Sequence, residues 1–237
     1  MLVSDQPRMK MKPVLLLARA FARQNRWLLL AFGVWPFVLG AFVWSPHGTV
    51  SQSDVMEIVR QEFVYGTVVI AFLASSAIYN ERRSRRIVAV LSKAVSRGQY
   101  LSGLLLGALF FAVAYFAVVD VSLVWITGWS IATPAQSGTL LMRGVVVSFW
   151  MASLALLFST FLYPFVAASL AAITAFAPTL FHARVLFAPA TPLVANVNPF
   201  SSDVSWLLIS VAIAESALFL VLAAYIFERR DVVASVE

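Results

Sequence analysis

The chain has 237 residues, no cysteine and only two histidines. Without thiols there is no disulfide framework, no thiolate metal site and no cysteine nucleophile. His47 and His182 have no second ligand at metal spacing, and both read as ordinary residues near outer span ends. Charge is also scarce. Asp, Glu, Lys and Arg make up 12% of the chain, against roughly 25% in a soluble domain. With 61% hydrophobic residues, a soluble globular protein is excluded, because no core of this size hides so much apolar surface. Disorder, which requires low hydrophobicity and high charge, is excluded as well. No Gly-rich loop ends in Lys-Ser/Thr, so the chain shows no ATP site of its own. Neither a Gly-x-Ser-x-Gly elbow nor a His-Glu-x-x-His pair is present. What remains is an integral membrane protein.

A helix needs about 20 apolar residues to cross about 30 Å of hydrocarbon. Six stretches qualify: 27–44, 63–79 (with a start nearer Val55 as the alternative), 104–126, 144–162, 165–181 and 206–227. The break between the fourth and fifth rests on Tyr163-Pro164, since proline interrupts a helix and restrains the residue before it. A membrane barrel would alternate apolar and polar residues. Val145-Val146-Val147 and Leu154-Ala155-Leu156-Leu157 do not, so an all-α integral membrane fold is expected.

The net charge of +6 has a topological reading rather than a nucleic-acid one. With the N-terminus in the cytoplasm, 14 of the 17 Lys and Arg side chains fall inside. They lie in the N-terminal segment, in the loop between spans two and three, and in the C-terminal tail. Only Arg60, Arg143 and Arg184 fall outside. This asymmetry places both termini inside. Trp27, Trp44, Trp125, Trp129 and Trp206 near span ends match an interfacial belt.

On a helical wheel, residues 9–26 and the start of span one carry Arg19, Arg23 and Arg26 on one face and Val14, Leu17, Ala18, Phe21 and Leu28 on the other, with Leu15 and Leu16 off that pattern. This is an amphipathic helix suited to the inner leaflet, or a basic flank of span one. The connection 80–103 holds a basic run, Arg82-Arg83-Ser84-Arg85-Arg86, followed by the apolar Ile87–Leu91. It serves as positive-inside anchoring, or its apolar part is buried against a partner or the membrane surface. Asp120 and Glu215 stand inside spans three and six. Ionisable groups there are expensive and mark either a translocation path or a structural interhelical hydrogen bond. Glu57, Arg60 and Glu62 before span two form an outer re-entrant turn or a polar span end. Gly103-x-x-x-Gly107 and the Ala167, Ala171, Ala175 stripe favour close helix packing, within one chain or across a dimer.

The 80–103 loop resembles that of the type-2 ABC transporter permeases, six-span exporter subunits paired with a separate ATPase. The resemblance is carried by Glu81-Arg82, by Leu91-Ser92-Lys93-Ala94-Val95-Ser96-Arg97-Gly98-Gln99-Tyr100-Leu101-Ser102-Gly103, by the tail Phe227-Glu228-Arg229-Arg230-Asp231-Val232, and by the Ser159–Ala168 junction. The chain departs from the family pattern at Ala94 (often proline), Leu104 (commonly lysine) and Arg85-Arg86 (usually Gly-Thr). The resemblance implies a single permease domain with an N-terminal interfacial elbow helix, six spans and a cytoplasmic coupling helix between spans two and three. It implies two ATPase copies, a second permease chain as homodimer or heterodimer, and residence in the inner membrane. ATP and Mg would be bound on the ATPase and no cofactor on this chain. The ATPase-coupling residues would be Glu81, Arg82, Arg83, Arg85, Arg86, Leu91, Ser92, Lys93 and Arg97, with Asp120 and Glu215 as path candidates. Rival readings are an ion-gradient-driven secondary transporter and a non-transporting assembly subunit.

Overall fold

The computed structural model describes residues 11–43, 51–83, 96–127, 134–180 and 205–229, and among them every regular element is a helix. There are seven: α1 (Met11–Gln24), α2 (Arg26–Val43), α3 (Gln52–Arg83), α4 (Arg97–Thr127), α5 (Pro134–Ser159), α6 (Pro164–Leu180) and α7 (Trp206–Arg229). Four of them, α3, α4, α5 and α7, contain apolar stretches of 29, 31, 22 and 24 residues, long enough to cross a membrane. At about 1.5 Å per residue, each exceeds the roughly 30 Å of a hydrocarbon core. The pair α1–α2 meets the same test as a broken span bent by 65°. At 17 residues, α6 is shorter. The described residues are therefore those of a multi-pass membrane protein, all-helical among themselves and with four or five apolar helices long enough to span.

The bend between α1 and α2 has a local cause. Asn25 turns its side-chain amide back to donate to the Phe21 carbonyl at 3.0 Å, while its own backbone N–H reaches the same oxygen at 3.2 Å. Such side-chain competition for a helix carbonyl is a recognised source of kinks. The junction after α5 behaves as its sequence suggests: the helix stops at Ser159, and Pro164 opens α6, in the first-turn position that proline tolerates.

At the centre lies α5, packed by α3, α4, α6 and α7. Its spanning stretch is 78% buried, against 22% for α7. Trp150, Met151, Ala152 and Leu156 are almost wholly enclosed. The other helix of many partners is α4, which takes α1 and α2 along its length. The alanine stripe of α6 (Ala167, Ala171, Ala175) is fully buried inside the chain. Exposed apolar side chains such as Trp27, Phe42, Phe110, Phe165, Leu207 and Val221 form the outer surface, as a lipid-facing shell requires.

Helix ends extend past the expected spans. The span expected at 63–79 belongs to a helix that begins at Gln52, the one expected at 104–126 begins at Arg97, and the one expected at 144–162 begins at Pro134. Arg143, expected on the outer side, lies within α5 and is buried among protein.

Candidate functional site

Two regions gather the polar chemistry. The first is the end of the bundle where α4 begins and α7 finishes. A reciprocal capping box fixes the start of α4. The Gln99 N–H donates to Ser96 Oγ at 3.2 Å, and the Ser96 N–H donates to Gln99 Oε1 at 3.1 Å, satisfying two N-terminal donors at once. One residue in, Arg97 Nη1 donates to the backbone carbonyl of Phe227 and, at 2.7 Å, to that of Glu228. These are among the last carbonyls of α7, which the helix cannot satisfy itself and where its dipole favours a cation. The guanidinium carbon also lies 5.6 Å from the Phe227 ring centroid. Tyr100 stacks on the same ring at 6.2 Å and an interplanar angle of 16°, and both aromatics are fully buried. Gly98 faces Ala224 of α7, and a Cβ placed there would make an ordinary 4.0 Å contact with it.

Further along α4, Gly103 and Gly107 form a notch for α1. A Cβ at Gly103 would lie 2.7 Å from Leu17 Cβ, and one at Gly107 would lie 2.6 Å from Phe21 Cδ1. Phe21 also meets Phe111 edge-on at 5.8 Å. The apolar face of α1 is thus taken up by protein. Arg19, Arg23, Leu15 and Leu16 remain exposed, so those two leucines, off-pattern in the sequence, are part of the outer surface.

The second region is the bundle interior. Glu215, in the middle of α7, accepts a 2.8 Å hydrogen bond from Trp150 Nε1 on α5. Trp150 also packs edge-on against Phe219. Asp120 on α4 is half-buried, and its Oδ1 is enclosed without a hydrogen-bond partner among the described residues. A third carboxyl is present. Glu62, only 1% exposed, receives the Tyr115 hydroxyl on its carboxylate and, at 3.1 Å, on its backbone carbonyl. Its Oε1 has no partner among the described residues. The Tyr115 ring lies over Gly66, where no side chain has room, and borders a cavity of about 40 Å³ lined by α2, α3 and α4.

Glu62 was expected at the polar end before span two. Extending the helical period back through Val55, Val59, Phe63 and Ile70, all buried, would have placed it on the inner face. Of the coupling residues, Arg97 is the one whose surroundings are described. Glu81, Arg82 and Arg83 occupy the last turn of α3; Arg85, Arg86, Leu91, Ser92 and Lys93, and the coupling helix itself, lie outside the described residues, as do His47 and His182. Among the described residues no three His, Asp or Glu side chains cluster as metal ligands would.

Compared with known proteins, the chain matches no protein-family model and no curated sequence.

Proposed function

We propose that this chain is the permease subunit of an ATP-driven exporter of the type-2 ABC class, working with ATP and Mg bound on a separate ATPase. The observation that carries this reading is the meeting of Arg97 and Tyr100 with Phe227 and Glu228. The two stretches that resemble the family lie 130 positions apart and pack into one structural unit. In this reading α2 to α7 are six spans, with α6 as the shortest, and both termini face the cytoplasm at the inner membrane. The 65° turn lets α1 run near the membrane plane while α2 stands upright. Residues 81–97 meet the ATPase, two permease chains pair with two ATPase chains, and Asp120 and Glu215 border the path between them.

The test is copurification from native membranes. An ATPase carrying a phosphate-binding loop is expected with the parent chain. Arg82→Glu with Arg83→Glu is expected to release it or to separate ATP hydrolysis from transport. Unchanged assembly and coupling in that variant would refute docking through this loop.

A second reading, an ion-gradient-driven transporter, is favoured by the buried carboxyls, to which Glu62 adds a third. Transport that survives ATP depletion but fails in Glu62→Gln, Asp120→Asn or Glu215→Gln would select it.

A further inference from the structure

We infer that the first turn of α4 and the last turn of α7 are clamped into one body, so that a displacement of the chain entering α4 at Ser96 is carried into α7 and along it to Glu215. The inference rests on the permease reading for the origin of that displacement, but the clamp itself stands on described contacts.

Those contacts act from several directions. Arg97 holds two terminal carbonyls of α7 through charge-assisted bonds, the stronger kind. Its guanidinium also rests on Phe227. Tyr100 stacks on the same ring, and both aromatics are sealed from solvent. The capping box at Ser96 and Gln99 fixes where α4 begins, so the guanidinium is presented from a defined first turn rather than from a frayed end. Gly98 faces Ala224 of α7, with room for a Cβ at ordinary contact distance.

The rest of α7 packs chiefly along α5. Its spanning stretch is 22% buried, and its one side-chain hydrogen bond to another helix, among the described residues, joins Glu215 to Trp150. Glu215 lies twelve positions before Phe227, roughly 18 Å along the helix. A helix transmits axial movement over that distance with little loss. The clamp is therefore the driven end of α7, and the Glu215–Trp150 bond against the enclosed α5 is where its movement is felt inside the bundle.

The chain has no cysteine of its own, which permits a direct test. A Cβ at Gly98 would lie 4.0 Å from Ala224 Cβ, inside the roughly 3.5–4.5 Å range of disulfides. Gly98→Cys with Ala224→Cys, in the full chain in native membranes, is expected to crosslink on mild oxidation. The yield should be the same with and without Mg-ATP, and the locked complex should keep the coupled ATPase activity of its reduced form. Failure to crosslink overturns the clamp. A yield that falls on adding Mg-ATP, or activity lost on locking and regained on reduction, overturns the single body. Arg97→Gln in the same background is expected to slow crosslinking by roughly tenfold, the scale of losing charge-assisted bonds, with Arg97→Lys in between. An unchanged rate in Arg97→Gln removes Arg97 from the clamp and sinks the inference. Purification without any ATPase defeats the permease reading alone, because the crosslinking rates need no partner.

Discussion

Replacing Gly107 with alanine tests whether α1 is seated in the α4 notch. The added Cβ would lie 2.6 Å from Phe21 Cδ1 and 3.0 Å from Phe21 Cβ and Cγ. Rotating the ring relieves the first contact but not the second, because Cβ moves only with the backbone of α1. Overpacking of this kind costs about 1–3 kcal/mol. Alanine also gains about 0.5–1 kcal/mol over glycine inside a helix, so the raw change understates the clash. Gly33 supplies the reference, since a Cβ there meets nothing within 4 Å and Gly33→Ala reports the propensity gain alone. The difference between the two variants should be about 1–3 kcal/mol against Gly107→Ala, or very roughly 2–10 °C in apparent midpoint for a chain of this size. The assay is thermal unfolding of the purified protein in mild detergent, followed by tryptophan fluorescence. If Gly107→Ala melts with Gly33→Ala, α1 does not occupy the notch.

Trp150→Phe keeps the packing on Phe219 but removes the donor to Glu215. It should cost about 1–2 kcal/mol, the upper range for interhelical hydrogen bonds in membranes, whereas Glu215→Gln retains an acceptor and should cost less; equal effects in the same melt would refute the bond. Tyr115→Phe leaves the enclosed Glu62 carboxyl without its hydroxyl partner, at an expected cost of about 1–3 kcal/mol. Combining it with Glu62→Leu should restore much of that loss, and a strictly additive double variant would show that the two groups do not interact.

The helices themselves are legible in the sequence because a bilayer demands long apolar runs, and the break at Tyr163-Pro164 is legible because proline has only a few places in a helix. The ends are not. Glu57 and Arg60 read as a polar end before span two, yet they ride on α3 because its other face, Val55, Val59, Glu62 and Phe63, is buried against neighbours. Thr139 and Arg143 extend α5 in the same way. The apolar face of α1 is visible as a pattern, but the pattern does not say whether lipid or protein covers it; the glycines that receive it lie more than eighty positions away. Asp120 and Glu215 stand out as charges in apolar runs, and only the fold distinguishes them, giving Glu215 a tryptophan donor and leaving Asp120 Oδ1 without one among the described residues. The pairing of Arg97 with the end of α7 escapes sequence reasoning altogether, because nothing in either segment names the other.

The unequal enclosure of α5 and α7 sets how freely each can drift. On α7 the buried positions are Ile209, Ala212, Ser216, Ala223 and Phe227, a narrow stripe, so most of its surface accepts any residue a lipid tail tolerates. On α5 nearly every position from Val146 to Leu156 touches another helix, and a change of one methyl group needs a matching change elsewhere. Related chains should therefore vary along α7 in single, independent steps, with Glu215 and Phe227 as the points held still, and along α5 in coordinated pairs.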